Sequence, residues 1–114
     1  MTAARAILLG AALTPYLALV SVDTWMHEKA RRVPRAEQFF HYAAGLLFAA
    51  FACAVFLESA AALPLLAAFA VCAAVDEIGF HRQLSAAERR VHFVSYAALV
   101  LFVITWVGTW RLLP

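Results

Sequence analysis

Charge is scarce in this chain of 114 residues. Asp, Glu, Lys and Arg make up 14% of it, whereas the apolar and aromatic types make up 66%. Soluble domains are about half apolar and about a quarter charged, so the composition excludes an ordinary soluble domain. The high apolar content also excludes a disordered chain, and the lack of strict apolar–polar alternation argues against a membrane barrel.

Cysteine is equally rare. The chain has two, Cys53 and Cys72, and they form neither a CxxC motif nor a zinc-finger spacing. Thiolate metal sites and iron–sulfur clusters are therefore not expected. Both cysteines are interpreted as small packing residues.

Long apolar blocks are what the chain does contain. They cover residues 6–22, 42–57, 60–75 and 93–110 and leave no room for a soluble domain. A membrane-spanning helix needs about 20 residues, which each block reaches with its polar ends, and lipid requires all backbone groups to be paired internally. The sequence predicts one transmembrane domain over 1–114, with helices at about 5–28, 35–58, 61–81 and 86–112. The short turn at 58–64 makes the second and third helices antiparallel neighbours.

The basic residues predict the orientation of the helices. Two predicted loops contain seven of the nine basic residues, which are Lys29, Arg31, Arg32 and Arg35 in one loop and Arg82, Arg89 and Arg90 in the other. Only Arg5 and Arg111 lie on the opposite side. Because basic loops remain in the cytoplasm, we expect a multi-pass protein of the cell inner (plasma) membrane with both termini outside. The first helix is interpreted as retained, not as a cleaved signal peptide.

Every histidine in the chain has a carboxylate four residues before it. The four pairs are Asp23 and His27, Glu37 and His41, Glu77 and His81, and Glu88 and His92. Four residues are about one helical turn, so each pair projects from one face of its helix. The first two pairs recur as the last two, which indicates an internal repeat over about 5–58 and 59–112. The predicted fold is an all-α, integral membrane four-helix bundle made of two parallel-repeat helical hairpins.

Antiparallel helices would arrange these eight groups in two layers about 6 Å apart along the bundle. The deeper layer contains Asp23, His41, Glu77 and His92, and the shallower one contains His27, Glu37, His81 and Glu88. Such groups are costly among apolar helices unless they are paired or bind metal. We therefore predict that all eight are metal ligands for two divalent ions. Imidazole and carboxylate without thiolate suit iron, manganese or zinc.

At the level of this motif, the pattern resembles the carboxylate-bridged diiron four-helix bundles of the ferritin-like kind. In those bundles, facing helices contribute Glu and Glu-x-x-His. Here the spacing is Glu-x-x-x-His, there are four histidines, and the bundle is expected to span a membrane. The resemblance covers about 36 residues at the helix ends. It implies oxygen chemistry at two irons, hence a diiron oxidoreductase or oxygenase.

Other functions use the same ligands. A dizinc hydrolase, a non-enzymatic metal sensor or storage protein, and a bis-histidine haem protein are alternatives. A transporter is less favoured because the helix centres lack ionisable groups. The expected partners are membrane lipids and a hydrophobic substrate but no nucleic acid, and the protein is expected to be a monomer or a homodimer.

Some of these residues also have simpler interpretations. Ser85-Ala-Ala-Glu88 is a capping box, in which Glu88 would bond to the backbone. Glu37 follows Pro34 and is interpreted alternatively as a first-turn acid favoured by the helix dipole. His27 and His81 are interpreted alternatively as residues at the membrane–water interface, where histidines at helix ends reach water.

Other residues near the eight predicted ligands have different predicted roles. Asp76 and Glu28 do not fit the repeat and are interpreted as solvated groups or as groups supporting the ligands. Tyr96 lies one turn beyond His92 and is the candidate catalytic residue, with simple packing as its alternative. Small Gly45 and Ala73 predict an opening toward the lipid tails for a hydrophobic substrate.

Overall fold

The computed structural model describes residues 1–29, 33–81 and 84–112. Those residues form four α-helices joined by short connections, and no strand occurs among them. The helices are α1 (Ala3–Lys29), α2 (Arg35–Phe56), α3 (Ala62–Phe80) and α4 (Ala86–Leu112). The predictions of an all-α chain and of four helices are confirmed.

All four helices are long and apolar enough to cross a membrane. The shortest has 19 residues, which corresponds to about 28 Å of helix, close to the thickness of a hydrocarbon core. Large apolar side chains such as Leu46, Phe93 and Ile7 are at least 70% exposed, as expected where lipid is the solvent. Arg31, Arg32 and Arg82 lie outside the described residues, so the orientation and the location of the termini remain predictions.

The first of two structural units contains α1 and α4. The guanidinium of Arg5, near the start of α1, lies 5.8 Å from the ring centre of Trp110 near the end of α4. At the other end of α1, the carboxylate of Asp23 lies 2.9 Å from His92 near the start of α4. The two helices therefore pack antiparallel.

The second unit contains α2 and α3. The ring of Phe48 contacts the ring of Phe69 across the pair at 5.5 Å, and Phe40 contacts Phe80 at 5.9 Å. The thiol of Cys72 donates a hydrogen bond to the carbonyl of Phe40 at 3.5 Å, a contact that suits a small packing residue. These contacts confirm the prediction that the second and third helices are antiparallel neighbours.

The two units do not coincide with the two predicted repeats. Each predicted repeat, at about 5–58 and 59–112, would combine one helix from one unit with one helix from the other. The observed packing therefore supplies no support for the repeat as a structural unit, and the repeat remains a prediction from residue spacing.

A Schellman motif ends α2. The amide of Ser59 donates to the carbonyl of Ala54 at 2.8 Å, and that of Glu58 donates to the carbonyl of Val55 at 3.1 Å. Glu58 takes the left-handed position of the motif with a φ of 54°. Glycine is the usual residue there, because a Cβ atom is strained at positive φ.

Replacing Glu58 with glycine should therefore stabilise the protein. We expect Glu58→Gly to raise the free energy of unfolding by about 1 kcal/mol over Glu58→Ala, which removes the same side chain but keeps the Cβ atom. Unfolding of the two variants in mixed detergent micelles measures the difference. Equal stability of the two variants would show that the turn carries no backbone strain.

Candidate metal centre

In the unit of α1 and α4, two histidines gather around one carboxylate. Asp23 Oδ1 lies 2.9 Å from Nε2 of His92 on the facing helix and 3.3 Å from Nδ1 of His27 on its own helix. The imidazole rings of His27 and His92 stack at 5.8 Å, with 24° between their planes, and each offers a nitrogen within 4.8 Å of the other. All three residues are at least nine-tenths buried. This unit thus brings together three of the predicted ligands.

The ring of His27 has a defined orientation. Its Nδ1 lies 3.0 Å from the backbone carbonyl of Asp23, one turn earlier. Because a carbonyl oxygen only accepts, Nδ1 carries the proton and donates. A histidine held in this way presents Nε2 as its metal-binding nitrogen.

Glu88 forms the capping box that its sequence context predicts. The Ser85 amide donates to Glu88 Oε2 at 2.8 Å, and the Glu88 amide donates to Ser85 Oγ at 3.2 Å. Glu88 is only 5% exposed, so one of its oxygens is bound to the backbone in a buried position. This capping box lies at the N-terminus of α4 and explains the buried position of Glu88 without a metal. Glu88 also remains one of the eight predicted ligands.

Two further polar groups in this unit follow His92 along α4. The ring of Tyr96 contacts the ring of His92 edge-on at 6.3 Å and is 38% exposed. Ser95 is 7% exposed, and its Oγ has no hydrogen-bond partner among the described residues. The hydroxyls of Thr14, Ser21 and Thr105 bond to their own helix backbone at 2.8 Å, as hydroxyls in apolar helices commonly do. Ser95 is thus a buried hydroxyl held away from its own helix backbone.

The unit of α2 and α3 contains a second group of ligand-type residues. His81 Nε2 lies 3.5 Å from Glu37 Oε1 on the facing helix and 3.6 Å from Asp76 Oδ2 on its own helix. His41 on α2 reaches the same Asp76 oxygen with Nδ1 at 3.7 Å. Glu37 is 1% exposed and Asp76 is 5% exposed. Two imidazoles and two buried carboxylates therefore lie at one end of this helix pair.

The separations in this group are informative. A charge-assisted hydrogen bond between imidazole and carboxylate measures about 2.7 to 2.9 Å, and the contacts of 3.5 to 3.7 Å exceed that length. Two ligands bound to the same ion at about 2.1 Å lie about 3.0 to 3.4 Å apart in octahedral or tetrahedral geometry. The observed separations lie a few tenths of an ångström above both ranges, so these side chains are close enough to share a cation without forming short hydrogen bonds.

Glu77, the α3 carboxylate that the sequence pattern selects, occupies a different position from Asp76. Its Oε2 lies 3.0 Å from Nδ1 of His81, on the edge of the ring opposite Nε2, and its side chain is 40% exposed. Of the two interpretations of Asp76, the solvated group is wrong, because that side chain is buried and contacts both histidines of the pair. The group that supports the ligands stays a prediction.

A signal for Asp76 does exist in the sequence. Phe69, Cys72, Asp76 and Phe80 follow one another at helical spacing, and the other three contact α2. Asp76 thus continues the face of α3 that packs against α2. The spacing of four residues between carboxylate and histidine indicates Glu77 instead, because Asp76 lies five residues before His81.

Comparison of this chain with protein-family models, with curated protein sequences and with solved structures gives no match. The functional assignment therefore depends on the side chains described above.

The capping box provides a test of the role of Glu88. We expect Ser85→Ala to lower the free energy of unfolding by about 1 kcal/mol, the usual cost of losing a helix cap. Glu88→Gln should change it little, because glutamine occupies the same position in capping boxes. Unfolding in detergent micelles measures both variants. A Glu88→Gln variant that is less stable than Ser85→Ala would show that Glu88 needs its negative charge, as a metal ligand does.

Proposed function

We propose that this protein is a membrane-embedded metalloprotein that binds two divalent cations, one through each helix pair. One cation is bound by Asp23, His27 and His92 of α1 and α4. The other is bound by His41, His81 and carboxylates of α2 and α3. Both ligand sets lie in, or directly after, helices that are long and apolar enough to cross a membrane.

This proposal depends mainly on one observation. In each helix pair a buried imidazole faces a buried carboxylate of the other helix, as His92 faces Asp23 and His81 faces Glu37. Burying an ionised carboxylate in an apolar helix is costly unless a cation or several hydrogen bonds compensate its charge. Asp76 is the clearest case, since its Oδ1 is buried without a hydrogen-bond partner among the described residues. A divalent cation would compensate the charge of these carboxylates.

Iron is the cation that we propose. Carboxylate and imidazole ligands without sulfur fit iron, manganese and zinc, and Cys53 and Cys72 are both free thiols outside these two groups of residues. The resemblance of the ligand pattern to carboxylate-bridged diiron proteins favours iron among the three. Bound iron would supply one-electron redox chemistry and activation of dioxygen, which makes the protein an oxidoreductase or oxygenase of the inner membrane.

A hydrophobic substrate fits the surroundings of the ligands. Gly45 on α2 is exposed, and a Cβ atom added there would meet no other atom within 4 Å. In α4, the buried Oγ of Ser95 offers a hydrogen bond one turn beyond His92. The proposed substrate is a lipid-like molecule with one polar group, and Tyr96, whose ring contacts that of His92, would assist its reaction.

The metal content of single variants tests the two binding sites. We expect wild-type protein, purified in detergent without added metal, to contain about two ions per chain. His92→Ala and His81→Ala should each contain about one ion, and the double variant should contain none, because each substitution removes a ligand from a different helix pair. Elemental analysis by mass spectrometry gives the stoichiometry.

Glu58→Gln is the matched control, because Glu58 is an exposed acid in the turn after α2 and is not among the ligands. It should keep both ions. Wild-type protein without metal would contradict the proposal, and so would a double variant that still binds two ions.

The response to dioxygen tests the choice of iron. When protein loaded anaerobically with Fe²⁺ is exposed to dioxygen, the bound iron should be oxidised to Fe³⁺, and dioxygen accepts the electrons. Mössbauer spectroscopy measures the change in the oxidation state of the iron. His92→Ala should lower the oxidised iron by about half, in line with its loss of one site. Protein that retains zinc through purification and hydrolyses an ester substrate, but leaves Fe²⁺ unoxidised, would instead favour the dizinc hydrolase.

A further inference from the structure

The ring of His81 lies between two kinds of carboxylate. Its Nδ1 is 3.0 Å from Glu77 Oε2, a hydrogen-bond distance. Its Nε2 is 3.5 Å from Glu37 Oε1 and 3.6 Å from Asp76 Oδ2, which are longer than hydrogen bonds. The two edges of one imidazole therefore make different kinds of contact.

The contact with Glu77 determines which nitrogen carries the proton. An ionised carboxylate only accepts hydrogen bonds, so Nδ1 of His81 donates to Glu77. In a neutral imidazole the other nitrogen, Nε2, then keeps its lone pair. That lone pair is directed to the edge of the ring where Glu37 and Asp76 lie. Metal-binding histidines are commonly oriented in this way, by a carboxylate on the nitrogen that does not bind the metal.

We infer that Asp76 is the carboxylate ligand supplied by α3, and that Glu77 is a positioning residue that holds His81 with Nε2 directed to the cation. The inference rests on the proposed function, since it assigns the ligands of the cation bound by α2 and α3. It exchanges the roles that the spacing of carboxylates and histidines predicts, in which Glu77 is the ligand and Asp76 is not.

The difference in burial between Glu77 and Asp76 supports the same assignment of their roles. The side chain of Glu77 is 40% exposed, so water solvates part of its charge and no cation is needed to compensate it. Asp76 is 5% exposed, and its Oδ1 has no hydrogen-bond partner among the described residues. Asp76 Oδ2 lies 3.6 and 3.7 Å from nitrogens of His81 and His41. A carboxylate that is buried, close to two imidazoles and incompletely bonded is the group that a cation would stabilise.

Cobalt binding to the full-length chain tests the assignment. The variants are made in a His92→Ala background, which disables the site of α1 and α4, so that Co²⁺ reports on α2 and α3 alone. We expect Glu77→Leu to weaken Co²⁺ binding by about 10- to 100-fold, the usual effect of losing an orienting partner. Glu77→Gln should bind within about threefold of the parent, because its amide oxygen still accepts from Nδ1. Asp76→Asn should abolish binding, because it removes a ligand charge.

A nuclear magnetic resonance measurement without metal separates positioning from a general structural role. Nitrogen-15 shifts of the His81 ring should show the proton on Nδ1 in the parent and in Glu77→Gln. In Glu77→Leu the Nδ1 proton loses its acceptor, and the population with the proton on Nε2 should rise. Glu58→Gln, which removes the charge of an exposed acid in the turn after α2, is the control and should leave the His81 shifts unchanged. Circular dichroism verifies that each variant remains helical.

The outcomes distinguish the inference from the proposed function. A wild-type chain that binds no cation overturns both. Metal binding in the parent that Asp76→Asn retains and Glu77→Gln abolishes overturns the inference alone, because Glu77 would then be the ligand. Unchanged affinity and unchanged His81 shifts in Glu77→Leu also overturn it. The inference is supported if Co²⁺ affinity falls progressively from Glu77→Gln to Glu77→Leu to Asp76→Asn and if the proton on the His81 ring shifts as expected in Glu77→Leu.

Discussion

The cost of burying ionisable side chains in apolar helices is the constraint on which the rest of this molecule depends. Lipid offers no hydrogen bonds, so a carboxylate inside a membrane-spanning helix must find its partners within the protein. Asp23, Glu37 and Asp76 are all at least nine-tenths buried. Each lies within 4 Å of at least one imidazole nitrogen. Without such partners these acids would oppose the packing of their helices.

The two helix pairs meet this constraint differently. In α1 and α4, Asp23 and His92 approach to 2.9 Å, which is an ordinary hydrogen-bond distance. In α2 and α3, the imidazoles and carboxylates remain 3.5 to 3.7 Å apart, and one carboxylate oxygen is incompletely bonded. In the second pair, the charge of Asp76 is therefore less well compensated by the described contacts than the charge of Asp23 is in the first.

Much of the architecture could be predicted from the sequence, because it depends on local properties. Apolar blocks of membrane-spanning length predict four helices, and the short turn around Glu58 predicts that α2 packs against α3. Packing of α1 against α4 could not be derived in the same way, because these helices are distant in the chain and their contact depends on tertiary packing. The predicted repeat pairs α1 with α2 and α3 with α4 instead. Its spacing shows which residue types recur along the chain, but not which helices are in contact.

The candidate site shows the same division between local and tertiary information. A spacing of four residues identifies Asp23 with His27 and Glu77 with His81, and both pairs are in contact. The roles of Asp76 and Glu77 could not be read from that spacing, because both follow the same apolar stretch of α3. Only the packing face marked by Phe69 and Phe80 separates the buried acid from the exposed one.

X-ray absorption spectroscopy at the metal edge of the purified wild-type protein tests whether histidine and carboxylate side chains bind iron. We predict iron surrounded by nitrogen and oxygen at about 2.0 to 2.2 Å, with the multiple scattering typical of imidazole. Sulfur at about 2.3 Å would contradict it, because Cys53 and Cys72 have no place among the ligands. A protein that contains no metal would contradict it equally.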